Sequence, residues 1–426
     1  MDSIPEVIIT SGSMCSAFQA DNANLLTSYP TIGEISPKTL CLIGEDYLIG
    51  AVPRQPLIKV WTVSKMRKEE VGKFIIPGVV SALTVSSCGI YCVAGIKENI
   101  YIWQVTTGEL LNVICRHYQD VSCLKFTGDD SRILSGGKDG HVMVWILAQA
   151  IAAHRHTDVT KPHFVWNNHS AEVTDIYNGS LSSRVATVSL DMTCKIYELD
   201  SGILLSAVCM DSPLTAVVMD PLEYIIFLGD DKGNLYKIDT YERLPREIHS
   251  IEVKSQFRIH QKKIISLSFS FEGTKLLTAS EDGTCKLWDA QSMACVFSIT
   301  VQGNFTNAFL AMKSEGMSVG KVLPQFYIRP FMKEFSRESS VRKFIESSIR
   351  TKTLSLMQED QPGEIFSENL VNSALKIADV VNASVYEDLF QESVYGESVA
   401  ELRTLNNQLY SFIINRGLDS IKEQSH

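Results

Sequence analysis

Short runs in which apolar and polar residues alternate recur along the chain as far as about residue 330. His141-Val142-Met143-Val144-Trp145 is one such run, and Trp61, Trp103, Tyr197, Ile238 and Trp288 close the others. A period of two is that of a strand with one face buried. Clusters such as Gly136-Gly137-Lys138-Asp139-Gly140, Gly229-Asp230-Asp231-Lys232-Gly233 and Glu281-Asp282-Gly283 separate the runs and signal tight turns. A second pattern runs in phase: an apolar residue, then Ser or Thr, then further apolar residues. It starts at Lys38 (a weak copy), Val80, Val121, Val173, Leu214, Ile265 and Phe305, in steps of 42, 41, 52, 41, 51 and 40. Two steps carry about ten extra residues, and the others hold a period near 41. Units of this length, each with several short antiparallel strands, predict the blades of a β-propeller. Seven starts predict seven blades.

A third pattern sharpens this. His117, His169 and His260 each precede an aspartate, Asp139, Asp191 and Asp282, by 22 residues. Six residues further on stand Trp145, Tyr197 and Trp288, and four before each aspartate stand Ser135, Thr187 and Thr278. A carboxylate buried in a turn needs donors, which a histidine and a hydroxyl supply. The spacing resembles the WD40 repeat, whose His, Ser/Thr, Asp and Trp form a hydrogen-bond network inside each blade. The literal Trp-Asp pair stands only at Trp288-Asp289. Gly33, Ile75 and Met210 hold the histidine position in blades 1, 2 and 5, so those blades are expected to rely on packing alone. The seventh unit lacks its own closing run. Residues ~6–28, with Val7-Ile8-Ile9-Thr10, are expected to supply its outer strands and close the ring.

The propeller is therefore expected over 1–331, followed by a linker over 332–362 and a helical extension over 363–416. Residues 336–353 are Ser-rich and mildly basic, with Ser339, Ser340 and Ser347 open to modification, and Gln361-Pro362-Gly363 breaks any element. Residues 359–401 hold ten acidic side chains and one lysine. Beyond them the apolar spacing turns helical. Tyr395, Leu402 and Leu409 are seven apart, as are Leu405 and Phe412, which makes a short coiled-coil seam. A seam this short is marginal alone in water. It predicts pairing with a second copy or a partner helix, against the alternative of packing on the propeller itself.

Composition changes the picture little. The chain has 426 residues, is 45% hydrophobic and carries a net charge of −10, which disfavours a general nucleic-acid coat. Ten cysteines without a CxxC pair make neither a disulfide scaffold nor a zinc ribbon. Cys88 and Cys92 read as isolated thiols. The N-terminus has no secretory character and no run of about 18 apolar residues occurs, so a soluble, reduced, intracellular protein is expected. No phosphate-binding loop, nucleophile elbow, zincin or kinase motif occurs. A His–Asp pair looks catalytic taken singly, but threefold repetition at one spacing assigns it to structure. His154, His156 and His163, in an insertion placed between blades 3 and 4, could hold zinc, although loop histidines are commonly free. Lys65-Met66-Arg67-Lys68 and Gln261-Lys262-Lys263 read as solvated loops. No enzyme, cofactor or metal is expected.

One run is more specific than the repeat. Arg116-His117-Tyr118-Gln119-Asp120-Val121-Ser122-Cys123-Leu124-Lys125-Phe126-Thr127-Gly128-Asp129, followed by Ser135-Gly136-Gly137-Lys138-Asp139, resembles the WD40 subunits of the rixosome. Ala23-Asn24-Leu25-Leu26-Thr27, Thr107-Gly108-Glu109-Leu110-Leu111 and Leu190-Asp191 support the likeness. The resemblance implies a non-enzymatic scaffold for large ribosomal subunit maturation and internal transcribed spacer processing. It implies a helical-repeat partner of the PELP/Rix type, a Tex/Ipi-type subunit and a midasin-type AAA ATPase on the pre-ribosome. An endonuclease with a polynucleotide kinase, and a desumoylating protease, are linked to that complex. It also implies a homodimer through the C-terminal helix, and residence in the nucleolus and nucleoplasm, with the cytoplasm as a further place. Two other WD40 roles stand as alternatives. A cullin-ligase substrate receptor would carry Trp-Asp-x-Arg, whereas Trp288-Asp289-Ala290-Gln291 lacks the arginine. A chromatin-mark reader would need an aromatic cage at the channel mouth.

Overall fold

The computed structural model describes residues 6–12, 14–29, 33–63, 70–152, 160–179, 183–240, 247–249, 255–301, 303–313 and 328–333. They form seven sheets, antiparallel but for one added edge strand, arranged as a propeller. The inner strands are Cys41–Ile43, Val80–Val85, Val121–Phe126, Val173–Asn178, Leu214–Met219, Ile264–Phe269 and Asn307–Met312, numbered here as blades 1 to 7. Neighbouring inner strands pack side by side around a central channel of about 480 Å³. Seven apolar clusters fill the seven blade-to-blade interfaces. Trp61, Trp103 and Trp145, on the third strands, are each 1% exposed or less. Fully burying one large apolar side chain contributes roughly 1.5–3 kcal/mol, so the interfaces carry most of the stability.

Blade 7 is built from both ends of the ring. Its inner strand, Asn307–Met312, pairs with Glu6–Ser11, from Glu6 opposite Met312 to Ser11 opposite Asn307. Cys15–Gln19 and Leu25–Tyr29 follow outward. Val7, Ile8 and Ile9 are fully buried, because one side chain faces the neighbouring interface on each side. Asn307 adds a side-chain lock. Its Nδ2 donates to Ser36 O (3.0 Å) and its Oδ1 accepts from Thr39 N (3.3 Å), tying blade 7 to blade 1.

The extra residues in the two long steps lie inside blades. In blade 3 they fall between the third strand, Val142–Ile146, and the outer strand, Phe164–Trp166, and include the helix Leu147–Ala152. The histidine-bearing insertion thus belongs to blade 3, and not to the junction of blades 3 and 4. In blade 5 they fall between Asn234–Asp239 and Ser255–Arg258. From there Glu247–His249 pairs in parallel with Leu204–Cys209, the outer strand of blade 4. An added strand covers a sheet edge that would otherwise present unpaired backbone groups.

The recurring Ser/Thr of the sequence pattern has a specific place. Ser81, Ser122, Thr174 and Thr215 each occupy a β-bulge at the start of an inner strand. A bulge leaves its extra residue out of the ladder. Each hydroxyl donates instead to a carbonyl of the next blade: Ser81 to Val121 (2.5 Å), Ser122 to Val173 (2.5 Å), Thr174 to Leu214 (2.8 Å) and Thr215 to Ile264 (2.6 Å). In blade 6 the inner strand begins at Ile264, one residue before the expected start, and Ile265 takes the bulge. Ser266 then reaches Ala308 O (2.6 Å) in blade 7. Such bonds contribute roughly 1 kcal/mol each and fix the angle between blades.

Candidate interaction platform

Blades 3 and 6 join all four members of the expected network, and blade 4 joins its His, Thr and Asp. In blade 3, Trp145 Nε1 donates to Ser135 Oγ (2.9 Å), and Ser135 Oγ lies 2.9 Å from His117 Nε2. His117 Nδ1 is 3.2 Å from Asp139 Oδ2. A carboxylate only accepts, so Nδ1 carries a proton. Asp139 also accepts from the backbone N–H of Tyr118 (2.9 Å) and of His141 (3.0 Å). Burial alone would raise the Asp139 carboxyl. The His117 side chain and the two amides outweigh it and bring the value down to about 2. Gly140 follows at φ +76°, and a Cβ there would lie 2.6 Å from His169 O, so this turn admits only glycine without strain.

Blade 6 repeats the arrangement. Trp288 Nε1 donates to Thr278 Oγ1 (3.0 Å), His260 Nε2 accepts from that hydroxyl (2.8 Å), and His260 Nδ1 lies 3.2 Å from Asp282 Oδ2. Burial pushes the His260 imidazole below its ordinary value despite the nearby Asp282, so the contact is a hydrogen bond to a neutral ring. In blade 4, His169 joins Thr187 (2.9 Å) and Asp191 (3.0 Å). Burial raises the Asp191 carboxyl, but His169, Thr193 and the Ser170 amide hold it below the usual range. The Tyr197 hydroxyl accepts from Asn168 Nδ2 (3.1 Å), and its ring stacks on Trp166 with centroids 4.0 Å apart.

Blade 5 corrects the expectation of packing alone. Asp230 is fully buried. It accepts from Ser212 Oγ (2.8 Å), Asn234 Nδ2 (2.7 Å), Tyr236 OH (3.1 Å) and the N–H groups of Lys232 (3.0 Å) and Asn234 (2.7 Å). The network is displaced by two residues: Ser212 lies two beyond Met210, and Asp230 lies two before the usual aspartate position.

Blade 2 is held by a distant segment. Phe331 is 4% exposed and packs on Phe74 and Trp103, with ring centroids at 5.1 and 5.3 Å. Trp103 Nε1 donates to Met332 O (2.8 Å), and Met332 N donates to Gly108 O (2.8 Å). Residues 328–333 are thus a strap across the interface of blades 1 and 2, which includes the start of the stretch read as a linker. In blade 1, Trp61 Nε1 has no hydrogen-bond partner among the described residues.

Tyr395, Leu402, Leu405, Leu409 and Phe412, with the expected helix and most of the linker, lie outside the described residues, as do His154 and His156. The His163 ring lies tilted against Phe164, with centroids 4.2 Å apart. Cys92 is buried and Cys88 exposed. Burial pushes the thiols of Cys15, Cys123, Cys194 and Cys285 up to about 12, which leaves them protonated and unreactive. No cluster of three metal-ligating side chains occurs among the described residues. No described helix is long and apolar enough to cross a membrane.

The three His–Asp pairs each end on a hydroxyl in the blade's own second strand, so they are spent on holding the fold. Together with the ring they define a seven-bladed WD40 propeller. Residues 108–145 and 251–289 match the model of the WD domain, G-beta repeat. The chain is 39% identical to WD repeat-containing protein 18 of Bos taurus over 316 residues, covering 71% of this chain and 72% of that one. It is 30% identical to the Danio rerio protein of the same name over 423 residues, 96% and 97% of the two chains. A Caenorhabditis elegans protein named pre-rRNA-processing protein pro-1 is 30% identical over 262 residues, 59% of this chain and 49% of its own. The chain belongs to the WD repeat-containing protein 18 family.

Proposed function

We propose that this chain is a non-enzymatic WD40 scaffold subunit of a nuclear, rixosome-type complex that matures the large ribosomal subunit and processes the internal transcribed spacer of pre-rRNA. The observation that carries the reading is the alignment with the Danio rerio relative over 96% of this chain, which runs past the propeller into the C-terminal region. The name of the nematode relative supplies the process. Repetition of the His–Asp pair in three blades supports a framework role, since a catalytic site is not needed once per blade. The partners of this reading are a helical-repeat subunit of PELP/Rix type, a Tex/Ipi-type subunit and a midasin-type ATPase on the pre-ribosome. A second copy pairs through Leu402, Leu405, Leu409 and Phe412. Depletion of the protein should raise precursors that retain the internal transcribed spacer, seen by hybridisation, and lower free large subunits on sucrose gradients. Unchanged precursors and subunit ratio after complete depletion would overturn the reading.

A further inference from the structure

The hairpin turns joining inner to second strands all open on one face of the ring. Through blades 1 to 6 they carry Glu45 and Asp46, Asp129 and Asp130, Asp220 and Glu223, and Glu272, with no Lys or Arg. On the opposite face the turns between second and third strands mix the signs, for example Lys97 with Glu98 and Asp231 with Lys232. The acidic bias therefore belongs to the inner-to-second-strand turns, in blades 1, 3, 5 and 6.

That face also exposes apolar side chains in blades 5 and 6. Leu222 is 66% exposed, Phe271 58% and Tyr224 46%. Single exposed apolar residues need no explanation, but a contiguous group does. Here the turns that carry them are neighbours. A Cβ built on Gly273 would lie 2.9 Å from Asp220 Oδ1 and 3.3 Å from Pro221 Cδ, so the two turns abut. Pro221 and Phe271 both line the mouth of the channel. The turns are also fixed. Phe271 N donates to Glu6 Oε1 (2.7 Å), and Arg184 Nε pairs with Glu223 Oε2 (3.4 Å). A preorganised patch loses little conformational freedom on binding.

We propose that this face docks a Lys/Arg-rich polypeptide segment of a partner protein that bears large apolar side chains. The apolar groups sit on Leu222, Tyr224 and Phe271, and the cations lie over the surrounding carboxylates. Charge complementarity selects this occupant. A nucleic-acid strand would be repelled by the turn carboxylates. A wholly apolar partner would desolvate these carboxylates and offer them no new bond. Burial already raises the Asp220 carboxyl against a single backbone bond, and a cation beside it offsets that cost. The surface is independent of which assembly the chain enters.

The test titrates the full chain with a fluorescein-labelled synthetic peptide repeating Lys-Leu-Lys-Lys-Phe, read by anisotropy across a salt series. Leu222→Ser with Phe271→Ser should weaken binding by about tenfold or more. Asp129→Asn with Glu272→Gln should flatten the salt dependence. Tyr118→Ser with Met192→Ser, on the opposite face, should change nothing. A photo-crosslinker in the peptide should label the turns 220–224 and 270–274 of the wild-type chain, which keeps the test informative if a variant misfolds. Four results would overturn the proposal: unchanged affinity in the Leu222/Phe271 variant; equal binding of a peptide with Ser in place of Leu and Phe; an RNA oligonucleotide that loses binding in that variant; or a change in the unliganded variant's solution mass, which would assign the face to a second copy.

Discussion

Blades 2 and 3 stand side by side and place the same tryptophan in different company. In blade 3, the Trp145 N–H ends on Ser135, and the chain of bonds runs inside the blade to His117 and Asp139. In blade 2, Ala94 takes the place of the serine in the second strand. With no hydroxyl in reach, the Trp103 N–H goes to Met332, 229 residues away. A buried N–H without a partner costs roughly 1–3 kcal/mol, so one blade satisfies it locally and the other through the strap. The consequence is a division of the ring. Blades 3, 4 and 6 hold themselves, blade 5 holds itself by a displaced network, and blades 1 and 2 depend on residues beyond the last strand.

The largest break in this comparison is expected in blade 5. Asp230→Ala would leave the Ser212, Asn234 and Tyr236 side chains and two amides without their shared acceptor. The expected loss is about 3 kcal/mol, read as a lower midpoint in urea unfolding. A midpoint unchanged from wild type would mean that packing does hold blade 5.

Phe331→Ala should cost somewhat less, about 2 kcal/mol, because the site lies at the rim and can partly collapse. It should leave the His–Asp blades intact.

A smaller effect separates the networks by pH. Folded Asp139 titrates near 2 against an ordinary 3.8, so the unfolded chain takes up that proton first as pH falls. The stabilisation is complete above 3.8 and is lost between 3.8 and about 2. His260 is held below its ordinary 6.5, so the unfolded chain also binds this proton first, and a shallower loss begins as pH falls below 6.5. The melting temperature should therefore decline gently below 6.5 and steeply below 3.8. His260→Gln should remove the gentle phase alone; persistence of that phase in the variant would assign it elsewhere.

The parts legible in the sequence are those set by local geometry. A hairpin of fixed length holds His117 and Asp139 at 22 residues, and the same hairpin recurs at His169 and His260. The bulge at Ser122 or Thr174 recurs because each inner strand must reach the next one. The period and the closing role of residues ~6–28 follow from the same regularity. Asp230 is not legible at that spacing, because its network is displaced by two residues. Ile-Arg-Pro-Phe-Met-Lys at 328–333 has neither the strand period nor the helix period, and its value lies in a contact with Trp103 that no local pattern encodes. In blade 6 the sequence pattern starts one residue late, because Ser266 imitates the Ser/Thr of the other blades while Ile265 holds their position.

The most direct measurement is hydrogen exchange, blade by blade, on the full chain with and without Phe331→Ala. The account predicts faster exchange in 41–115, blades 1 and 2, with unchanged protection in blades 3, 4 and 6. Uniform loss of protection around the ring, or none in blades 1 and 2, would contradict the division between self-held and strapped blades.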